Sequence, residues 1–160
     1  MAASADRDPM AKGPLLARTL RMLRQLRRRR LVDVAAELGL RKRTYEHFEG
    51  GFGPLNVERV LGFADRLDVD PYGILTAVEI CSPDFARRTA DNKFMTMFYL
   101  QLQEFDERTG DALTLLDGYC LLDAFSEMFA RLEAEARRRE ALAARRPPDR
   151  PPPEGGGPGP

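Results

Sequence analysis

The sequence predicts an all-α protein, in which five short helices are followed by a long C-terminal helical hairpin. Apolar residues recur at intervals of three and four over most of the chain, as they do on a helix with one buried face. Glycine or proline stands where most of these periodic segments end. The two longest segments, from Ser82 to about Glu107 and from Asp111 to about Arg146, are separated only by a short glycine-containing turn.

Length and composition limit the possible classes of protein. With 160 residues, the chain suits one domain with an appendage or two small domains. Its two cysteines, Cys81 and Cys120, lie in apolar helical contexts, so we expect buried thiols in a reducing compartment. No apolar run approaches the length of a membrane span, and the first 14 residues lack the apolar core of a signal peptide. These features predict a cytoplasmic protein with no membrane partner.

Charge is distributed unevenly, although the formal net charge is zero. Residues 1–50 contain 12 Lys or Arg and 6 Asp or Glu, a balance of +6. Residues 51–136 contain 7 and 16, a balance of −9, and residues 137–160 contain 6 and 3, a balance of +3. This asymmetry predicts that the N-terminal part faces a polyanion and that the remainder has a different role.

The first helix is predicted from Leu15 to Arg28, after a polar, disordered arm at residues 1–13. Its apolar face, at spacings of four, three and three, consists of Leu16, Leu20, Leu23 and Leu26. Four consecutive arginines, at positions 27–30, follow at its end. Cations are favourable at a helix C-terminus, but four adjacent like charges repel one another. We therefore expect part of this run to contact phosphate.

Two short helices joined by a tight turn are predicted in residues 31–51. Gly39 ends the first helix, because glycine adopts the left-handed conformation of a helix end without steric penalty. Tyr45 and Phe48 lie on the inward face of the second helix, which two glycines end. The inward residues of the first helix are Val34, Ala35 and Leu38. The outer face of the second helix is polar and partly basic, so the pair has the form of a helix-turn-helix.

Two further short helices are predicted before residue 79. Asn56 is the expected N-cap of the first, and Asp70 that of the second, with Pro71 at its first helical position. The inward residues are Val57, Val60, Leu61, Ala64 and Leu67 in the first, and Tyr72, Ile74, Leu75 and Val78 in the second. Residues 14–78 are thus predicted to form five helices around one small core.

Residues 14–78 resemble the Xre/Cro family of phage-repressor-like helix-turn-helix domains. The resemblance rests on VAAELGL, on TYEHFEGG and on the later pattern V-L-x-x-A-x-x-L-x-V-D-P, which match the layout of that family's helices two to five. In this comparison Glu49 and Gly51 take the places of the family's helix-ending Glu-x-Gly. The resemblance covers about 65 of the 160 residues and implies a DNA-binding transcriptional regulator.

Two positions depart from the family pattern. Leu31 stands near the start of the second helix, where the family commonly has a glutamine that contacts phosphate, and Arg30 is a candidate replacement. Tyr45 stands where the recognition helix usually has Ile or Val. We expect Tyr45 to be a larger core residue, and the alternative is a hydroxyl that reaches the backbone.

The outer face of the recognition helix supplies the candidate DNA contacts. Arg and Lys can donate to guanine O6 and N7, Thr can bond to a base or touch a thymine methyl, and His can donate or accept. Glu46 either accepts from cytosine N4 or pairs with a neighbouring cation. The alternative for the whole face is a solvated, charged surface. The predicted base contacts are Lys42, Arg43, Thr44 and His47, and the predicted phosphate contacts are Arg28, Arg30 and Arg41.

Residues 79–146 are predicted to form an antiparallel hairpin for dimerisation or partner binding. Its first helix begins after the N-cap Ser82, has an unusually aromatic face and ends at Thr109-Gly110. The apolar residues of the hairpin are too many for one stripe, so the surplus should pack on the first domain or on a second chain. Residues 147–160 are rich in proline and glycine and are predicted to be disordered.

Together these features predict a sequence-specific bacterial transcriptional regulator that binds double-stranded DNA as a homodimer on an inverted-repeat operator. Repression is favoured over activation. We expect it to be cytoplasmic and nucleoid-associated. RNA polymerase is a further candidate partner, through the acidic segment 111–136. The alternative is a protein–protein module, an antitoxin or adaptor, that uses the aromatic hairpin. No nucleophile–base pair, carboxylate dyad, phosphate loop or metal cluster is visible, so we expect no enzyme activity, no cofactor and no metal.

Overall fold

The computed structural model describes residues 9–145, which form eight α-helices and one short 3-10 helix. The all-α prediction is therefore confirmed for these residues. The chain divides into two units, the first extending to Arg108 and the second beginning at Thr109. The helices are α1 (Pro9–Leu26), α2 (Leu31–Glu37), α3 (Lys42–Glu49), α4 (Val57–Leu67), α5 (Pro71–Glu79), α6 (Pro83–Thr89), α7 (Phe94–Thr109), the 3-10 helix (Gly110–Leu115) and α8 (Gly118–Ala144).

Helix α1 begins earlier than predicted. It starts at Pro9, within the segment expected to be a disordered arm, and residues 1–8 lie outside the described residues. The Nζ of Lys12 lies 2.6 Å from Oε1 of Glu79, a contact between α1 and the end of α5. The prediction that Leu26 is inward is wrong, since Leu26 is exposed. At 3.6 residues per turn it lies about 20° beyond Thr19, which marks one edge of the buried arc.

The turn between α2 and α3 has the predicted glycine. Gly39 has a φ of +65°, and its N–H donates to the carbonyl of Ala36 at 3.0 Å. The N–H of Leu40 donates to the carbonyl of Ala35 at 2.9 Å. These bonds provide donors for carbonyl groups at the end of α2 that would otherwise have no hydrogen-bond partner. The chain can therefore turn within four residues and begin α3.

The hydrophobic core lies among α1–α6, one helix more than predicted, because Ala86 and Ala90 extend it beyond α5. Tyr45 and Phe63 are the largest side chains that are fully buried. The other apolar members are Leu16, Leu20, Leu23, Val34, Ala35, Phe48, Val60, Ala64, Leu67, Val69, Ile74, Ala77 and Val78. The core therefore has one contiguous set of side chains to which every short helix contributes.

Helix α4 buries a different arc from the predicted one. Val57 and Leu61, both expected inward, are exposed, whereas Phe63 is fully buried. The buried side chains are Val60, Phe63, Ala64 and Leu67, which share an arc of about 100°. This arc buries the larger Phe63, and Leu61 lies outside it. The predicted cap is confirmed, since the side chain of Asn56 accepts from the N–H of Arg59 at 2.9 Å.

The long helix predicted from Ser82 to about Glu107 is interrupted, and α6 and α7 take its place. Lys93 has a φ of +54° between them, which ends the helical path. The Oδ1 of Asn92 accepts from the N–H of Phe94 at 3.0 Å at the start of α7. The break arises from these local contacts and needs neither glycine nor proline at the turn.

Asp70 occupies the N-cap position of α5, as predicted, but its side chain caps α7. Its carboxylate accepts from the N–H of Met95 at 2.7 Å, from the N–H of Thr96 at 3.4 Å and from the hydroxyl of Thr96 at 2.8 Å. Nearby, Nζ of Lys93 lies 2.8 Å from Oδ1 of Asp68. These contacts fasten the start of α7 to α5. The first unit therefore includes α6 and α7, which the sequence grouped with the C-terminal region.

The second unit consists of the 3-10 helix and α8. Asp111, predicted to open the second long helix, lies in the 3-10 helix, and α8 begins seven residues later. Its N-cap is Asp117, whose Oδ1 accepts from the N–H groups of Tyr119 and Cys120, both at 2.9 Å. No residue of α8 is buried. That α7 and α8 pack as an antiparallel hairpin stays a prediction, and the predicted tail at 147–160 lies outside the described residues.

Both cysteines are exposed, which contradicts the expectation of buried thiols. Cys81 lies in the turn between α5 and α6 and has a φ of +56°. Cys120 lies in the first turn of α8, a helix without a buried residue. Apolar neighbours along the sequence therefore do not place either thiol in the core.

Replacing Asp70 with alanine should lower the free energy of unfolding by about 2–4 kcal/mol, because a buried carboxylate that accepts three hydrogen bonds is lost. Amide hydrogen exchange should become faster at Met95 and Thr96. Asp65→Ala is the matched control: it removes only an exposed ion pair with Arg66 and should have little effect. Unchanged urea unfolding and unchanged exchange at both amides in the Asp70 variant would contradict the cap.

Candidate nucleic-acid interface

Helix α3 carries all four residues that were predicted to contact bases. Lys42, Arg43 and His47 are exposed, and Thr44 is half-buried. Arg43 and His47 are four positions apart, so they are neighbours on one face of the helix. The buried residues of this eight-residue helix are Tyr45, Phe48 and Glu49. The structure thus gathers the four predicted residues on the outer side of α3, while the inner side anchors the helix.

A buried ion pair holds α3 against α1. Nε of Arg24 donates to Oε1 of Glu49 at 2.6 Å, and Nη2 of Arg24 donates to Oε2 at 3.0 Å. Only 16% of the Arg24 side chain and 4% of the Glu49 side chain are exposed. The hydrogen bond that Arg24 donates to Glu49 raises the pKa of Arg24 above its usual value, which keeps the guanidinium charged. Such two-pronged pairs fix direction as well as distance.

Tyr45 completes this cluster. Its ring is fully buried, as predicted for a core residue, and its hydroxyl donates to Oε1 of Glu49 at 2.9 Å. Nη1 of Arg24 also donates to the carbonyl of Arg29, at 3.1 Å. We call Arg24, Tyr45 and Glu49 the α1–α3 clamp. The clamp connects α3 both to α1 and to the chain that leads into α2.

The end of α3 also touches α1 through backbone atoms. Gly51 has a φ of +70°, and a Cβ at this position would collide with the carbonyl group of Gly13. A side chain at Gly51 would therefore be strained in its backbone and would push α1 away. The glycine contact and the clamp together fix how α3 lies on α1, and so fix the direction of its outer face.

Phe52 lies against His47 at the edge of this face. The two ring centroids are 5.3 Å apart with an interplanar angle of 30°. Phe52 is nevertheless exposed, in the loop that follows α3. The sequence analysis assigned no role to this position. The signal that points to it is an aromatic residue directly after the glycines that end α3.

Glu46 pairs with Lys42, one of the two alternatives that the sequence left open. Nζ of Lys42 is 3.6 Å from Oε1 of Glu46, four positions further along α3. Both side chains are largely exposed, so the pair contributes little and can open when a third group approaches. Lys42 is therefore available to an anionic partner at small cost.

The arginine run at positions 27–30 is largely occupied by contacts within the chain. Nε of Arg27 donates to the carbonyl of Leu67 at 2.9 Å, and Nη2 to the carbonyl of Asp68 at 2.8 Å and to Oδ1 of Asp91 at 2.6 Å. Arg29 pairs with Glu37. The mutual repulsion that suggested an external anion is thus offset by acceptors within the chain.

The three residues predicted to contact phosphate differ in their surroundings. Arg30 donates to both carboxylate oxygens of Asp33, at 2.8 and 2.9 Å, which raises the pKa of Arg30 and lowers that of Asp33. Arg28 is exposed with a φ of +51°, and Arg41 is exposed at the N-cap of α3. Within residues 12–145, neither Arg28 nor Arg41 has a side-chain partner. Of these three arginines, Arg28 and Arg41 are therefore more readily available to an external anion than Arg30.

Glu49→Ala should lower the free energy of unfolding by about 3–5 kcal/mol, because it leaves the buried Arg24 without its counter-ion and the Tyr45 hydroxyl without its acceptor. Urea unfolding measures the effect. Glu37→Ala, which removes an exposed ion pair to Arg29, is the matched control and should cost much less. Equal losses in the two variants would show that the clamp contributes no more than a surface pair.

Stability should fall in alkaline solution because of Tyr45. Burial, with the nearby Glu49 carboxylate, raises the pKa of Tyr45 well above its usual value of about 10. Below pH 10 the phenol is neutral in both states and its contribution is complete. Above pH 10 the unfolded phenol ionises while the folded one does not, so the free energy of unfolding falls by about 1.4 kcal/mol per pH unit.

Tyr45→Phe should lack this alkaline decline, which urea unfolding between pH 9 and 11.5 would measure. Tyr119→Phe, in which an exposed phenol is removed, is the matched control and should retain it. The prediction fails when both variants lose stability with pH as steeply as the wild-type chain does.

Residues 9–145 contain no group of three or more His, Cys, Asp or Glu side chains that could hold a metal ion. No helix in this part of the chain is both long enough and apolar enough to cross a membrane.

Residues 15–73 match a family model described as a helix-turn-helix domain. No curated protein and no solved structure matches the chain. The matched segment contains α2, α3 and the α1–α3 clamp. The chain thus contains a helix-turn-helix domain, a domain characteristic of DNA-binding regulators.

Proposed function

We propose that the protein is a sequence-specific, Xre/Cro-type transcriptional regulator that inserts α3 into the major groove of double-stranded DNA. The observation that carries this proposal is the outer face of α3, where Lys42, Arg43, Thr44 and His47 lie on a helix that a buried ion pair orients. A helix that reads bases must keep its position and direction in the groove, which the clamp favours.

The chemistry of this face suits base edges. The fork of Arg43 can donate two hydrogen bonds to O6 and N7 of guanine, and the hydroxyl and methyl of Thr44 can meet either an acceptor or a thymine methyl. His47 has one ring face against Phe52 and can direct its ring nitrogens outwards. Lys42 can leave Glu46 to contact guanine or phosphate. Four such groups on two turns of helix can contact several successive base pairs.

Phosphate contacts would come from arginines at the ends of α1, α2 and α3. Arg41 lies at the N-terminus of α3, and Arg28 follows α1, both exposed. Arg30, at the N-cap of α2, would first have to release Asp33. Because such contacts carry no sequence information, they set affinity and salt dependence, whereas the α3 face sets the preferred sequence.

We infer a homodimer on an inverted repeat, since a single helix-turn-helix makes few base contacts and two linked domains gain avidity. Half-sites for such dimers lie about 34–36 Å apart, one turn of DNA. Repression would follow where the operator overlaps a promoter, because the bound dimer excludes RNA polymerase. The exposed apolar side chains of α8 support a self-associating surface.

The test is to sequence genomic DNA captured by the full-length protein and then to measure binding of variants to the enriched sequence. Arg43→Ala and Thr44→Ala should each weaken operator binding by about 5- to 150-fold, the equivalent of 1–3 kcal/mol, and should relax the preference at one or two positions. Arg87→Ala, on α6, removes an exposed arginine away from α3 and should bind as the wild type does.

The proposal fails if the captured DNA has no common motif and binding disappears between 50 and 200 mM salt, because that pattern reflects phosphate attraction alone. Unchanged operator affinity in both α3 variants would equally exclude α3 as the reading helix.

A protein–protein module, such as an antitoxin or adaptor, is the second candidate. It is favoured by the exposed apolar residues of α7 and α8, which include Tyr99, Leu100, Tyr119 and Leu122. Such a protein would keep its partner when Arg43 and Thr44 are replaced and would lose it when the apolar residues are replaced. The variants above therefore separate the two candidates.

A further inference from the structure

Helix α8 carries a continuous apolar stripe that is open to solvent. Its large members, Leu122, Phe125, Phe129 and Leu132, are each about half exposed or more. Four such side chains on one face of a 27-residue helix exceed what a solvated helix normally presents. The stripe therefore indicates a surface that is covered when the protein is assembled.

The spacing of the stripe is that of a coiled coil. From Leu122 the apolar positions follow at intervals of three, four, three and four, which averages 3.5 residues, and they end with Ala136. A straight helix that packs on a globular core follows a 3.6-residue period instead. The next two seam positions in this repeat are Arg139 and Ala143. The pattern thus favours another long helix as the occupant of the stripe.

The distribution of charge along α8 indicates which kind of helix can cover its apolar stripe. Residues 118–130 contain two acidic and no basic side chains, a balance of −2, and residues 131–145 contain five basic and three acidic ones, a balance of +2. The helix macrodipole favours such charges only in the first and last turns, whereas Asp123, Glu127 and Arg137–Arg139 lie in the interior. The two halves of α8 are therefore complementary to each other.

We propose that α8 pairs with α8 of a second chain in antiparallel orientation. Each acidic half then lies beside the basic half of the other copy. In the register that overlaps the whole helix, Phe125 faces Ala136 and Phe129 faces Leu132, so large residues meet smaller ones, as seam packing requires. The proposal rests on the homodimer proposed above and specifies its interface.

Two other arrangements of this pair are less favourable. Parallel helices would place Arg139 beside Arg139 in the seam and would set like-charged halves side by side. An antiparallel pair shifted by one heptad would bring Phe125 against Phe129, but it would overlap the acidic halves and leave the basic ends unpaired. In the full-length antiparallel register each Arg139 faces Leu122 at the end of the seam, while the large apolar residues and the oppositely charged halves are both matched.

Distances between spin labels on the full-length protein test the orientation. The labels go on Ala130→Cys or Ala141→Cys, in a chain whose exposed native thiols are removed by Cys81→Ser and Cys120→Ser. At a rise of 1.5 Å per residue, the antiparallel register brings the two copies of residue 130 level, whereas it separates the two copies of residue 141 by about 30 Å along the axis. Parallel helices would give both labels the same short separation of about 10 Å plus the label length.

Charge reversal tests the complementarity. Arg137→Glu with Arg138→Glu should weaken dimerisation at least about tenfold at low salt, as measured by sedimentation equilibrium. Because these arginines also pair with Glu133 and Glu135 in their own helix, circular dichroism must show that α8 is still formed. Adding Asp123→Arg with Glu127→Arg should restore the dimer, since it re-creates complementary halves. Parallel helices would show neither the loss nor the rescue.

A monomeric wild-type chain, a short separation at residue 141 or the absence of rescue would each overturn this pairing. A monomer that still selects an operator would leave the DNA-binding proposal intact, whereas a dimer with the expected distances and no DNA preference would overturn that proposal alone. The two inferences can therefore fail separately.

Discussion

The orientation of the candidate DNA-reading helix depends on one buried ion pair. Helix α3 has eight residues, far fewer than a helix needs to persist alone in water, so tertiary contacts must hold it. Arg24 and Glu49 provide these contacts across 25 positions of sequence, with Tyr45 as the third member. An ion pair of this kind adds direction more reliably than stability, because burying both charges costs much of what their attraction contributes. Direction is the property that a groove-reading helix requires.

Sequence periodicity predicted α1 to α5 and most of the core, but it missed the break between α6 and α7 and did not identify every buried face. Leu16, Leu20 and Leu23 were predicted correctly because one arc of α1 is clearly apolar. Helix α4 has apolar residues over a wider arc, and periodicity cannot decide which part faces inward. Phe63 is buried next to Phe48 of α3, with ring centroids 6.3 Å apart, and helical periodicity does not encode such a tertiary contact.

Caps illustrate the same limit at the level of single residues. Asn56 bonds to a backbone group three residues away, so its role could be inferred locally. Asp70 stands in an equivalent position, yet its carboxylate reaches α7, 25 residues further on. The outer residues of α3 could be predicted because turn and helix register are local. The clamp partner Arg24 could not, since nothing in α1 distinguishes it from the other arginines on its polar face.

The stacking of Phe52 on His47 has a consequence for how a base would be met. A free histidine side chain samples several rotamers, and binding that requires one of them costs conformational entropy. The ring contact with Phe52 favours one of these rotamers before any partner is bound. Because Phe52 belongs to a loop and not to α3, the presentation of His47 can change through substitutions at position 52 while the reading helix keeps its own sequence.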